Sequence, residues 1–251
     1  MKETTKEKIR KVEEFLFGSR ACICCGKECD GDNEYKLCKD CMDVIPFTKD
    51  NYCLRCGEII KGDYDYCIKC KDRDFEFDYA RSVFAYTELT APIIFRFKYN
   101  GLRSYVYPLT KLLRDYFSTS DLIADSVVFV PMPEKRQKER GYNQSFELAK
   151  EFCKLTGLEL LEVLERTKDN VKQATLNAKE RSENIKGSFK VIDKNKVKDR
   201  ELLIIDDVMT TGSTANECAK VLMKAGARNV QVLTLAKTVA GGIDMLIDDI
   251  K

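Results

Sequence analysis

Apolar residues recur at helical spacing in some stretches of the chain and cluster in short runs in others, and from the middle onward the two kinds alternate. Ile9, Val12, Phe15 and Leu16 fall on one face of the charged segment 5–17, which predicts a short amphipathic helix. Tyr79 to Tyr86 reads as a strand, and Ala91 to Tyr99 and Ser104 to Phe117 read as helices separated by Asn100-Gly101. Val127 to Val130 is an apolar run stopped by Pro131. Phe146, Ala149, Phe152 and Cys153 share a helix face that ends near Gly157. Leu158 to Leu164 and Phe189 to Ile192 predict further strands, and Glu201 to Ile205 a strongly apolar one. Ser213 to Ala225 then predicts a helix closed by Gly226, and Val230 to Leu235 the last strand. Such alternation implies an α/β fold, a parallel sheet with flanking helices. Ligands of these sheets bind beyond the carboxyl ends of the strands.

The cysteines divide this picture. Ten of the twelve lie between Cys22 and Cys70, whereas Cys153 and Cys218 stand alone. Residues 1–75 are therefore expected to form an N-terminal helix and a cysteine module, and residues 76–251 the α/β domain, a division that suits 251 residues. The module holds four Cys-x-x-Cys pairs: Cys22 with Cys25, Cys38 with Cys41, Cys53 with Cys56, and Cys67 with Cys70. The second and fourth pairs follow after 12 and 10 intervening residues, and Cys25-Gly26 is echoed by Cys56-Gly57, so one unit is written twice. Four thiolates suit tetrahedral zinc, and a chain with no histidine must ligate through cysteine alone. A redox dithiol would need one pair and a disulfide scaffold an oxidising compartment; iron–sulfur is the other soft-metal reading. The expectation is two structural zinc ions; the spacing leaves sequential and interleaved quartets both open, with sequential preferred, and Cys24 and Cys29 are surplus. So few large apolar side chains cannot hold a core unaided, which makes folding the first role of the metal.

Charge narrows the partners little. The formal charge of +2 turns negative once eight thiolates and two zinc ions are counted, so it makes no case for nucleic acid. The chain opens Met-Lys-Glu-Thr-Thr-Lys with no long apolar stretch after it, neither a secretory signal nor a membrane span. A cytoplasmic protein with reduced thiols and no membrane partner is expected. Basic residues concentrate at Lys135, Arg136, Lys138 and Arg140 and again at Lys179, Arg181, Lys186 and Lys190.

The turn after Ile205 carries the most specific chemistry. Thr210, Thr211, Gly212, Ser213 and Thr214 supply hydroxyls, a glycine that admits close approach to backbone amides, and a helix N-terminus just behind. Together they make a cradle for one phosphate. Asp206 and Asp207 would repel that phosphate unless they face something neutral or cationic. Ribose hydroxyls can donate to them, and a magnesium ion carrying pyrophosphate can be held nearby. The ligand that satisfies both halves is phosphoribosyl pyrophosphate (PRPP) with Mg2+.

Leu202 to Thr214 resembles the PRPP-binding signature of type I phosphoribosyltransferases. A wider resemblance, to the ComF family, runs through the paired cysteines, Phe97-Lys98-Tyr99-Asn100-Gly101, Val130-Pro131-Met132-Pro133, Arg140-Gly141-Tyr142-Asn143-Gln144, Gln173-x-x-Leu176 and Arg181-x-x-Asn184. It implies a type I phosphoribosyltransferase-like sheet and a part in DNA uptake during natural competence. It also implies displacement of pyrophosphate from C1 of the ribose through an oxocarbenium-like transition state. Basic groups should then converge on the leaving group, with Lys135, Arg136, Arg140 and Asn143 at a neighbouring strand end as candidates. The polar segment 166–187 reads as a lid, with Arg166, Gln173, Arg181 and Asn184 its candidate contacts. Asp206 and Asp207 are the candidate catalytic pair. Purine-salvage relatives often carry an acid where Thr210 stands, so proton transfer falls to Asp207, Lys98 or the acceptor. The acceptor is unspecified. The second role open to such a fold is PRPP sensing in a factor that binds single-stranded DNA, an uptake helicase or another competence protein.

Overall fold

A computed structural model describes residues 21–29, 33–49, 51–71, 73–99, 103–168 and 183–239. The expected helix over 5–17, Asn100-Gly101, Gln173 and Arg181 lie outside the described residues. Two short helices, α1 (Lys39–Val44) and α2 (Ile68–Lys71), ride in the cysteine module. They are followed by β1 (Ala80–Tyr86), α3 (Ala91–Tyr99), a 3-10 turn (Arg103–Tyr105), α4 (Val106–Thr119), β2 (Ser126–Phe129), α5 (Glu134–Arg140) and α6 (Gln144–Thr156). Then come β3 (Glu159–Leu160), β4 (Leu164–Arg166), β5 (Phe189–Val191), β6 (Glu201–Met209), α7 (Ser213–Lys224) and β7 (Asn229–Thr238). No helix among the described residues is long and apolar enough to cross a membrane.

The sheet has the order β1-β7-β6-β2-β3, and every pairing in it is parallel. Side chains alternate across a strand, so Leu203 and Ile205 serve one face of β6 while Leu202 and Ile204 serve the other, all fully buried. The first face packs on α3, α4 and α6 through Phe97, Leu109, Leu113, Leu148 and Phe152. On the second face, Ala215, Cys218, Ala219 and Leu222 form the i, i+3, i+4, i+7 stripe of α7.

Two strands expected in this sheet behave otherwise. The run Leu158 to Leu164 is split: Glu159–Leu160 joins β2, but Leu164–Arg166 leaves to form an antiparallel ladder with Phe189–Val191. The buried Leu161 and Val163 turn the chain between the two sheets, and an apolar run alone could not distinguish that from one strand. β6 also outruns its expected end at Ile205, because Asp206, Val208 and Met209 still pair with Thr234, Ala236 and Lys237. The acidic pair therefore sits on a strand held by a ladder, not in the loop.

The cysteine quartets are built into these layers. Cys22 and Cys41 bury with Phe84, Phe97 and Leu203 on the first face, and Cys53, Cys56, Cys67 and Cys70 with Phe77, Ala80, Leu202 and Val232 on the second. Arg81 ties the second quartet to β1. Its buried guanidinium donates to both Asp121 carboxylate oxygens at 2.9 and 2.5 Å and to the Leu54 carbonyl at 2.8 Å. It also lies between the Tyr52 and Tyr79 rings, 4.8 and 4.7 Å from their centroids. Arg81→Ala strips these contacts and leaves a cavity; chemical denaturation is expected to register a loss of about 3 kcal/mol.

Candidate functional site

Three strand ends and two helix starts converge on one cleft. β6 delivers Asp206 and Asp207 to its floor. The Asp206 carboxylate accepts from the Ser145 hydroxyl at 2.6 Å and from the Asp207 amide at 2.9 Å. Asp207 pairs with Lys98 of α3 at 3.0 Å, with both side chains largely buried. Burial first, and then the Asp207 charge, pushes the Asp206 carboxyl from its ordinary 3.8 up to about 7; Ser145, the Asp207 amide and Lys98 pull the other way.

Beyond Met209 the chain turns into α7 through Gly212, which adopts a left-handed conformation with φ +76°. A Cβ would be strained at this φ and would meet Met209 Cε at 2.7 Å and Phe75 Cε1 at 3.2 Å, so the position favours glycine. The Thr211 and Ser213 hydroxyls are 2.8 Å apart, and the Ser213 amide donates to Thr211 Oγ1 at 3.4 Å. Thr210, Gly212, Ser213 and Thr214 line the cleft, with the N-terminus of a 12-residue helix behind them. Its amides favour an anion there.

The opposite wall follows β2. Arg136 and Arg140 of α5 line it, as does Arg166 of β4. Arg140 is held by the Gln144 side chain at 3.2 Å and the Tyr99 hydroxyl at 3.2 Å, with its guanidinium over the Tyr99 ring. Lys135 is exposed on α5 and is not brought to the cleft. Asn143 reaches it, but the carboxamide caps α6 by accepting from the Ser145 and Phe146 amides and donates to the Val130 carbonyl. The ladder of β4 and β5 brackets 169–182: the Thr167 amide donates to the Ser188 carbonyl at 2.8 Å, and the Gly187 amide to the buried Glu217 carboxylate at 2.7 Å.

Sequence reading did not find Ser145 or Lys237. Ser145 is an ordinary second residue of a helix until the fold sets it beside Asp206. Lys237 looks like a strand-end cation but is buried, and its ammonium donates to the Thr210 carbonyl at 2.5 Å.

In the cysteine module, Cys22, Cys25, Cys38 and Cys41 form one cluster and Cys53, Cys56, Cys67 and Cys70 another, with the sulfurs of each within 4.8 Å of one another. The pairing is sequential, as expected. Both groups could hold a metal ion, and at Cys22 the backbone favours thiolate. Burial alone would raise the Cys22 thiol, yet amides of Cys25, Cys38 and Cys24 and the Cys25 side chain bring it down to about 6. The repeat extends to the backbone: the Gly26 amide donates to the Cys22 carbonyl and the Gly57 amide to that of Cys53, both at 2.9 Å.

No family model matches the chain. Competence protein F of Haemophilus influenzae is 32% identical over 208 residues, 80% of this chain and 90% of that protein. DNA utilization protein YhgH of Escherichia coli K12 is 29% identical over the same lengths. A chain of the allosteric regulatory enzyme of purine biosynthesis overlays 56% of this chain and 30% of its own length at 17% identity, with a TM-score of 0.39. That likeness is too slight to add to the strand order already described.

Proposed function

We propose, taking as premise that the chain belongs to the competence protein F (ComF) family, that its cleft binds PRPP with Mg2+ and that the protein acts as a phosphoribosyltransferase-like factor in DNA uptake. The observation that carries this reading is the acidic pair on β6, fixed by Ser145 and Lys98, directly before a hydroxyl- and glycine-rich turn at a helix N-terminus. In the proposed pose the 5-phosphate takes the amides and hydroxyls of 210–214. The ribose 2- and 3-hydroxyls donate to Asp206 and Asp207, and the pyrophosphate with its magnesium faces Arg136 and Arg140.

Transfer in this site would break the bond from C1 to the pyrophosphate oxygen, which leaves with the bonding pair, and form a bond from an acceptor nitrogen or oxygen to C1. Positive charge gathers on the sugar near the two carboxylates, and negative charge grows on the pyrophosphate near the arginines. The proton lost by the acceptor goes to Asp207, which Lys98 holds in place, since Thr210 offers no base. The cysteine quartets fit Zn2+ and would supply rigidity, not chemistry.

Isothermal titration is expected to show Mg2+-dependent PRPP binding that Asp206→Ala or Asp207→Ala removes. Undiminished binding by both variants overturns the site assignment. Pyrophosphate release when PRPP is supplied with one of a panel of nucleobases marks a transferase; silence across the panel marks a sensor.

A further inference from the structure

We infer that the second cysteine knuckle holds the phosphate loop in its binding shape, with Glu58 and Lys237 as the positioning residues that connect the two. The ligand-binding side of this inference rests on the PRPP reading above; its loop-ordering side does not.

The repeat within the module supplies an internal control. In the first knuckle the Cys22 amide donates to the Lys27 carbonyl at 2.7 Å, and in the second the Cys53 amide donates to the Glu58 carbonyl at 2.8 Å. Lys27 and Glu58 are therefore equivalent positions, each directly after the knuckle glycine. The Lys27 side chain is 73% exposed and pairs with Asp40, at 3.7 Å. That of Glu58 is 3% exposed. The knuckle backbone is the same in both cases, so the turn itself does not call for a buried carboxylate.

Glu58 faces one cation of its own quartet, the exposed Lys69 at 3.8 Å, and one buried cation from outside it. Its Oε2 is 3.9 Å from the Lys237 ammonium, and both side chains are almost wholly buried. Lys237 is the register partner of Met209, the last residue of β6, and it donates to the Thr210 carbonyl at 2.5 Å. Its field also reaches Cys56. A zinc tetrathiolate carries excess negative charge, so a loaded second site and Glu58 together provide the counter-charge that a buried ammonium requires.

The next carbonyl is held from the same side. Arg73, three residues past Cys70, donates to the Thr211 carbonyl at 3.1 Å and lies over the ring of Phe75, which packs against Gly212. In a planar trans peptide the N–H points opposite to the C=O. Drawing the Thr210 and Thr211 carbonyls toward Lys237 and Arg73 turns the amides of Thr211 and Gly212 the other way, toward the anion cradle. The knuckle thus sets the direction of the amides that the phosphate needs.

The test is Glu58→Gln/Lys237→Met, which removes both buried charges together and leaves the exposed Lys69 to solvent. Metal content and near-ultraviolet dichroism check that the zinc and the fold remain. Amide hydrogen exchange over 209–214 is expected to rise about tenfold or more, and affinity for ribose 5-phosphate to fall by a similar factor. Lys27→Ala, at the equivalent position of the first knuckle, leaves both unchanged. Glu58→Gln alone gives a smaller rise in the same direction and serves if the double variant does not fold. Loop exchange that stays at the wild-type rate in a folded, zinc-loaded variant overturns the inference, as does an equal rise in Lys27→Ala. A wild-type protein that binds neither PRPP nor ribose 5-phosphate overturns the PRPP reading, and the exchange measurement still decides whether the knuckle orders the loop.

Discussion

Removing metal from the two cysteine quartets is expected to unfold the whole chain in one transition, not its first 75 residues alone. The magnitudes decide this. A structural zinc site contributes about 10–16 kcal/mol of apparent binding free energy near neutral pH, whereas a domain's entire stability is about 5–15 kcal/mol. Losing either ion therefore removes free energy as large as a domain's whole stability. The quartets also line the apolar layers on both faces of the sheet, so neither layer closes without them. Metal analysis should return two zinc ions per chain. Chelation should abolish near-ultraviolet dichroism and hydrogen-exchange protection in β6 together. A metal-free chain that keeps that protection would show that the sheet stands independently of the module.

The second large effect separates stability from function at one atom pair. The folded chain holds the Asp206 proton up to about pH 7, against an ordinary value of 3.8. Between those values the folded state binds more protons than the unfolded one, so stability declines as pH rises through that window. The full cost of the buried charge is present above it. Asp206→Asn keeps an acceptor for Ser145 and the Asp207 amide while removing the charge. Its denaturation midpoint is expected to match wild type near pH 4 and to exceed it at pH 8, by roughly 1–3 kcal/mol of stability. The same variant should bind PRPP about tenfold more weakly, since charge-assisted acceptors are roughly twice as strong as neutral ones. A variant no more stable than wild type at pH 8 would mean that Lys98 and Ser145 already compensate the charge.

Much of this was readable from residue order alone. The four Cys-x-x-Cys pairs stand out by their spacing, whereas which pairs meet is set by the fold, which brings sequential ones together. α3 is found at its predicted bounds, since Ile93, Ile94 and Phe97 mark the buried face of a helix. The turn into α7 was readable because a glycine between hydroxyls marks a tight strand-to-helix connection. What escaped was set by distant contacts. Ser145 reaches Asp206 across 61 residues of sequence, and Lys237 reaches Thr210 across 27. The split of 158–164 into two sheets depends on where Val127 and Phe189 lie, which no periodicity reports. Asn143 was expected to touch ligand; its carboxamide also caps α6, a role its place before a helix could have suggested.

The strand order has a consequence for how the molecule is made. Within the sheet β1 sits at the edge beside β7, the last strand among the described residues, and the second quartet rests on Leu202 and Val232 from the later half. During synthesis both knuckles emerge and can take up metal well before the surfaces that cover them exist. Contacts this distant in sequence close slowly, and exposed strand edges invite wrong pairing in the interval. Chains cut short before residue 229 should accordingly aggregate with their zinc bound, and a holding chaperone should raise the yield of full-length protein more than added zinc does.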